Sequence, residues 1–128
     1  MFTPIPLYLK IYVNRMELER VDMGTKVSEL GNPPFSSSRL LIAEFEPAVL
    51  LLKTLLRRAG IKATFFSPAI HIVVQAMEKT EGGLSTVEKR AFRDLAEMVG
   101  ASKIRLVDNH QLLAHKQVVA LLNQKEAI

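Results

Sequence analysis

The stretch IHIVVQAMEKTEGGLSTVEKRAFRDLAEMVGASKIRLV, residues 70–107, decides the fold. Ile70–Ala76 is a near-continuous apolar run, the pattern of a central strand covered on both faces. Met77–Leu84 contains Gly82-Gly83 and reads as a loop. Ser85 stands three residues before Glu88, the spacing of a helix capping box. Val87, Ala91, Leu95 and Met98 then recur at helical intervals and are expected to face the sheet, with Phe92 and Val99 beside them. Gly100 ends the helix. Lys103–Val107 is the next strand, and a helix crossing between two strands makes them parallel. The stretch is one β-α-β unit.

Working back from Ile70, Ile61–Pro68 is a connector. A helix from about Glu46 to Ala59 precedes it, with Pro47 at the first helical position, where its missing N–H costs nothing. Glu44 and Glu46 suit the positive end of the helix dipole, and Arg57 and Arg58 the negative end. Gly60 follows as the terminating residue. Val49, Leu52, Leu55, Leu56 and Ala59 form one stripe. Leu50 and Leu51 widen it beyond what one sheet face needs, and both are candidate interface residues. Arg39–Ala43 is extended or leads into this helix, and Gly31–Ser38 (GNPPFSSS) is a loop by composition.

Leu7–Val13 (LYLKIYV) alternates strictly. Leu7, Leu9, Ile11 and Val13 face one way, Tyr8, Lys10 and Tyr12 the other, which is a strand. Asn14-Arg15 is a two-residue turn. Met16–Val21 is a more polar and less buried strand. Asp22-Met23-Gly24-Thr25 is a second turn, and Lys26–Leu30 a third strand, so the three make an antiparallel meander. Beyond Val107, Asp108 and Gln111 have the spacing of a cap for a helix over about Asn109–Asn123, with Leu112, Val118, Val119 and Leu122 as its stripe. The order is β-β-β-α-β-α-β-α.

A chain of 128 residues is one domain, 1–128, large enough to bury a core without disulfides. It has no cysteine, which excludes disulfides and Cys-based metal sites. No signal peptide is read at the N-terminus, and no apolar run approaches the ~20 residues of a membrane span, so the expectation is a cytoplasmic protein with no membrane insertion. The net charge of +4 raises the prior for anionic partners only slightly. The basic residues Arg57, Arg58, Lys62, Lys89, Arg90 and Arg93 offer no aromatic for base stacking, since Phe92, between Arg90 and Arg93, is read as facing the sheet, so nucleic-acid binding is expected to be weak or absent.

The element order is that of ribonuclease-H-like proteins, shared with one lobe of the actin and heat-shock ATPases. Leu41–Glu46 (LIAEFE) followed by Leu51–Leu56 resembles a segment of the bacterial actin homologue MreB. Leu84–Ala101 (LSTVEKRAFRDLAEMVGA) resembles a second, and Lys103–Val107 the strand that follows it. The likeness runs from Leu40 to Ala120. The whole chain, with FSSSRLLIAEF at residues 35–45 and EGGLS before Val87-Glu88, also resembles a family of small bacterial stress-response proteins. The resemblance implies an α/β fold of the ribonuclease-H-like or single actin-like subdomain type, with a five-stranded mixed sheet flanked by helices.

Actin-like ATPases hold nucleotide between two lobes, and this chain has room for one. Asp22-Met23-Gly24-Thr25 resembles the family's first phosphate motif, D-L-G-T, whose backbone N–H groups cradle phosphate. The acidic pair after the family's strand is replaced by Asp108-Asn109-His110. The resemblance therefore implies a fold relative without ATPase chemistry, with no cofactor. The alternative is a degenerate phosphohydrolase-like protein binding nucleotide or Mg²⁺ through Asp22, Gly24, Thr25 and Asp108. A ribonuclease-H-type nuclease needs several carboxylates around two metals, and Leu7–Val13 carries none. Asp22, Glu44 and Asp108 would converge only if Met16–Val21 were the first strand of the family pattern. His110 and His115 are five apart, off the three or four that a helical metal pair favours. His71 is read as a half-buried strand residue. The expected role is non-catalytic, in stress response or protein interaction, through a homodimer or a protein partner.

Overall fold

A computed structural model describes residues 3–62 and 69–124. Its elements run β1 (Ile5–Tyr12), β2 (Arg15–Arg20), β3 (Thr25–Leu30), α1 (Phe45–Arg58), β4 (Ile70–Ala76), α2 (Thr86–Met98), β5 (Ala101–Val107) and α3 (His115–Asn123). The strands form one sheet in the order β3-β2-β1-β4-β5. β1, β2 and β3 pair antiparallel, whereas β4 pairs parallel with both β1 and β5. The described residues form a small α/β protein with a five-stranded mixed sheet and three helices. The connector Ile61–Pro68 falls mostly outside the described residues.

The strict alternation of β1 sorts the molecule into two layers. Leu9 is level with Leu18 on one side and Val74 on the other, and this row continues through Val27 and Leu106. The row of Leu7 continues through Ile72 and Ile104 and that of Ile11 through Met16 and Ala76. The first turns polar at Arg20 and Thr25 and the second at Glu29, and Leu52, Leu55, Phe92 and Leu95 from α1 and α2 close over the apolar part. Each fully buried Leu, Ile, Val or Phe contributes roughly 1.5–3 kcal/mol, so this face dominates the stability of the fold. The opposite face carries Tyr8, Lys10, Glu17, Glu19, Val73 and Gln75. α3 packs against it through a small second cluster of Tyr8, Val73, Val118 and Leu122.

Several elements depart from expectation for identifiable reasons. β2 is interior, flanked by β1 and β3, so Met16 and Leu18 are fully buried despite the polar look of the segment. The β1–β2 loop is Val13-Asn14, one residue earlier than expected, because Asn14 supplies the positive φ of +52°. Its side-chain oxygen accepts from the N–H groups of Phe35 and Ser36 at 3.0 and 2.7 Å, which ties the 31–43 loop to the hairpin. Residues 39–43 form bends and no regular element. Pro47 is the third helical residue of α1, still within the first turn, where N–H groups lack intrahelical acceptors.

The Ser85–Glu88 capping box is present at α2. Its buried stripe, however, is Phe92, Leu95, Ala96 and Val99, while Val87 and Met98 face solvent. Phe92 and Leu95 are the large buried side chains of α2, and they mark the side that meets the core. α3 begins only at His115. Residues 108–114 are non-helical, and Asp108 caps nothing there. Of the expected α3 stripe, Val118 and Leu122 are buried, and Leu112 and Val119 are exposed.

Candidate functional site

Open α/β sheets bind ligands in the crevice beyond the carboxyl ends of parallel strands, where the strand order reverses. In this sheet that point lies between β1 and β4. Lys10 and Gln75 are directly opposite each other there. Gln75 is fully buried, and its amide nitrogen donates to the carbonyls of Asn109 and Gln111, both at 2.7 Å. Its amide oxygen accepts from the Tyr8 hydroxyl. The Tyr8 oxygen in turn accepts from the backbone N–H of Leu113 at 3.2 Å. The 108–114 loop is thus drawn down over the crevice. Burial pushes the Tyr8 phenol above its ordinary pKa, with the Leu113 hydrogen bond and the Lys10 charge opposing.

Beside this closure lies a charged cluster. Lys10 is 4% exposed, and its Nζ is 2.5 Å from Glu17 and 3.8 Å from Glu19. It also lies 4.9 Å from the centre of the Tyr8 ring. Lys26 approaches Glu17 at 3.8 Å from β3. His115, the first residue of α3, contacts Glu19. Burial pulls the Lys10 pKa down, but the hydrogen bond and charge of Glu17, helped by Glu19, outweigh it and hold the ammonium above its ordinary range. A lysine serves as base or nucleophile when its pKa is depressed. Lys10 is instead held as a fixed cation. The cluster can clip α3 and β2 to the sheet, and it is poorly suited to proton transfer.

The residues singled out for nucleotide binding are not brought together. Asp22 and Gly24 lie in the β2–β3 turn and Thr25 opens β3, at the end of the sheet where β1 begins. Asp108 follows β5, at the end where β1 finishes. The registers separate Asp22 from Asp108 by about six residue steps, roughly 20 Å along the strands. The Asp22 carboxylate is held by Arg20 at 2.9 Å, and Asp108 lies 3.9 Å from Lys89. Glu44 is the exposed residue preceding α1.

His110 contacts the Thr80 hydroxyl, so it and His115 serve different partners. Among the described residues no group of three or more His, Cys, Asp or Glu is arranged to hold a metal. His71 is half-buried. Burial, followed by the charges of Lys103 and Arg105, lowers its pKa.

The interface pair is split. Leu50 is 60% exposed, whereas Leu51 is 7% exposed and belongs to the core, so Leu51 is corrected from an interface candidate to a structural residue. Consecutive helical positions are ~100° apart, and the apolar arc closes between these two. Leu50 opens onto a groove of about 770 Å³ between α1 and α2. Buried Leu56, Ile61 and Val99 line it together with the exposed Met98, and Lys53, Arg57 and Lys62 contribute its charge. A shallower hollow lined by Phe45, Glu46 and Val49 shares Leu50 and Met98 with it.

Sequence reasoning missed the Tyr8–Lys10–Glu17–Glu19–Gln75 cluster. The signal was available. Any two-residue hairpin loop near Asn14 puts Tyr8 and Lys10 on the same face as Glu17 and Glu19. Gln75 is the polar residue inside an otherwise apolar half-strand.

Among the described residues no helix is long and apolar enough to cross a membrane. No protein-family model matches the chain. A protein of Escherichia coli (strain K12) described as "Uncharacterized protein YjaA" is 35% identical over 126 residues, covering 93% of this chain and 98% of that one. Agreement at that level, running nearly end to end through both sequences, marks common descent, and this chain belongs to the YjaA family.

Proposed function

We propose that this protein is a non-catalytic cytoplasmic interaction protein, built on a ribonuclease-H-like or single actin-like subdomain. The strand order β3-β2-β1-β4-β5 with an antiparallel meander and two parallel additions supports the fold comparison. The observation that carries the non-catalytic reading is Gln75. Its side chain and the 108–114 loop fill the crevice where an α/β sheet would take a ligand. The raised pKa of Lys10 and the wide separation of Asp22 from Asp108 point the same way. The exposed apolar surface lies elsewhere, around Leu50 and Met98, and is suited to a protein contact. A stress-response role rests on the sequence resemblance alone.

Thermal unfolding with and without millimolar ATP and Mg²⁺ tests the reading. A ligand that binds the native state at a hundred times its Kd stabilises by about 2.7 kcal/mol, which is readily seen as a rise in Tm. The expected result is an unchanged Tm. A saturable rise that Asp22→Ala removes would replace this reading with the degenerate nucleotide-binding one.

A further inference from the structure

The two helical layers are held to the sheet in different ways. The large core cluster draws on α1 and α2 and takes no residue from α3. Of residues 108–124 only Val118 and Leu122 are buried, both in the small cluster with Tyr8 and Val73. The rest of the attachment is polar and made at single points. The Leu113 N–H donates to Tyr8, Gln75 to the carbonyls of Asn109 and Gln111, Lys103 to that of Leu122 and Arg105 to that of Gln124, while His115 contacts Glu19. Water can replace each of these partners. On the same face lie Lys10 and Glu19, whose side chains are 5% and 8% exposed. Lys10 is matched within the sheet itself, by Glu17 and Glu19 across the β1–β2 hairpin, and Lys26 meets Glu17 from β3. Removal of α3 therefore leaves no charge of this cluster without a partner.

We infer that residues 109–124 are a reversible cover, hinged at Asp108, that undocks as a unit and opens the crevice between β1 and β4 while the rest of the fold stays closed. The content of the two faces carries the choice. Under a permanent cover a buried ion pair is commonly no better than apolar side chains of the same volume, and the face beneath α1 and α2 is largely apolar. A face that is uncovered from time to time has the opposite requirement. Apolar side chains there would become an exposed patch, whereas charges already paired within the sheet take up water without loss. Lys10, Glu17 and Glu19 meet that requirement. Few buried apolar contacts also place α3 among the segments that open first. Lys89 beside Asp108 keeps the hinge on α2, and the exposed contact of His110 with Thr80 is released. The non-catalytic reading concerns the closed molecule, and the undocking goes beyond it and is tested separately.

The chain has no cysteine, so a single introduced thiol reports on one face at a time. Val73 and Val74 are neighbours in β4 and both fully buried, the first in the cluster with α3 and the second in the large core. Labelling of the full-length Val73→Cys and Val74→Cys variants by an aromatic disulfide reagent, in native buffer and in low urea, compares the two. The thiol at 73 should react on the order of a hundredfold faster, at a rate nearly independent of urea, because undocking α3 exposes little surface. The thiol at 74 should follow global unfolding and rise steeply with urea. Tyr8→Phe removes the hydroxyl that joins Gln75 to Leu113, and should speed labelling at 73 about tenfold while leaving 74 unchanged. Amide exchange of the unaltered chain needs no cysteine. The amides of residues 118–122 should exchange together and ahead of those of Leu52 and Leu55 in α1. Equal labelling at 73 and 74 with the same urea dependence would overturn the inference, as would α3 amides that exchange only along with those of α1. Exchange rates that climb stepwise toward residue 124 would show fraying in place of undocking and would overturn it too.

Discussion

One face of the sheet is closed by α1 and α2 over an extensive apolar layer. The other is closed by α3 over a small apolar cluster, in which Val118 and Leu122 are buried and Leu113 and Leu121 partly so, and a set of polar contacts. The same five strands build both. The difference is that hydrophobic burial is tolerant of direction, whereas the α3 side relies on groups that must meet partners. Tyr8, Gln75, Glu19 and His115 each fix α3 or its leading loop at one point. Lys103 and Arg105 reach from β5 to carbonyls at the far end of α3, at 2.8 and 2.6 Å. The apolar face therefore sets how stable the molecule is. The polar face sets where α3 and the 108–114 loop lie, and so whether the crevice above Gln75 is closed.

Matched leucine truncations put the largest strain on this distinction. Leu52→Ala, at a fully buried site in α1, should cost about 4 kcal/mol, toward the upper end for such changes. Leu122→Ala in α3 should cost about 2 kcal/mol, because its few neighbours can settle into the space. Urea unfolding midpoints give both values. Hydrogen exchange should show the second variant opening in α3 and residues 108–114 ahead of the rest of the chain. Equal costs, with equal loss of protection everywhere, would mean the two faces form one cooperative core.

The next test is electrostatic. Lys10→Met leaves Glu17 and Glu19 facing each other, with Lys26 and His115 as their remaining partners, and should cost about 3 kcal/mol. Adding Glu17→Leu should recover more than about 1 kcal/mol of that, because replacing both partners removes the charge that was left behind. Strictly additive losses would show that Lys10 acts by packing its methylenes over Tyr8 and not through the pair.

The two faces also differ in how legible they were. The alternation of residues 7–13 and the apolar run 70–76 carry the inner face directly, because burial is read from each residue alone. The capping box at Ser85 and the positive-φ site at Gly60 marked helix ends for the same reason. The outer face depends on pairs far apart in sequence. Lys10 finds Glu17 only once the hairpin register is known, and Gln75 finds Asn109 and Gln111 only once the 108–114 loop is known to be non-helical. Asp108 and Gln111 have cap spacing, but the Gln111 carbonyl is committed to Gln75, and a backbone held there cannot also wind into the first turn of α3. Leu50 and Leu51 are indistinguishable by type. Only the rotation of α1 against the sheet sends one inward and leaves the other in solvent.

The smallest expected effects are those of pH, and the groups with shifted pKa values lie on the α3 face. Lys10 and Tyr8 both have native pKa values raised above the ordinary ones, so the native state holds more protons than the unfolded chain once the pH passes about 10. Their contribution is full below that point and is lost as the pH climbs through the raised values. His71 has the opposite sign. Its native pKa is lowered by burial and by Lys103 and Arg105, so the unfolded chain takes up the proton first, and its contribution falls as the pH drops below about 6.5. Urea midpoints between pH 5 and 11 should form a plateau that falls at both ends. Lys10→Met should flatten the alkaline limb in part and Tyr8→Phe further, while His71→Gln should flatten the shallow acid limb alone. An alkaline limb unchanged in the Lys10→Met, Tyr8→Phe double variant would place the titrating groups elsewhere, and the polar face would then owe its order to hydrogen bonding without the charge that Lys10 supplies.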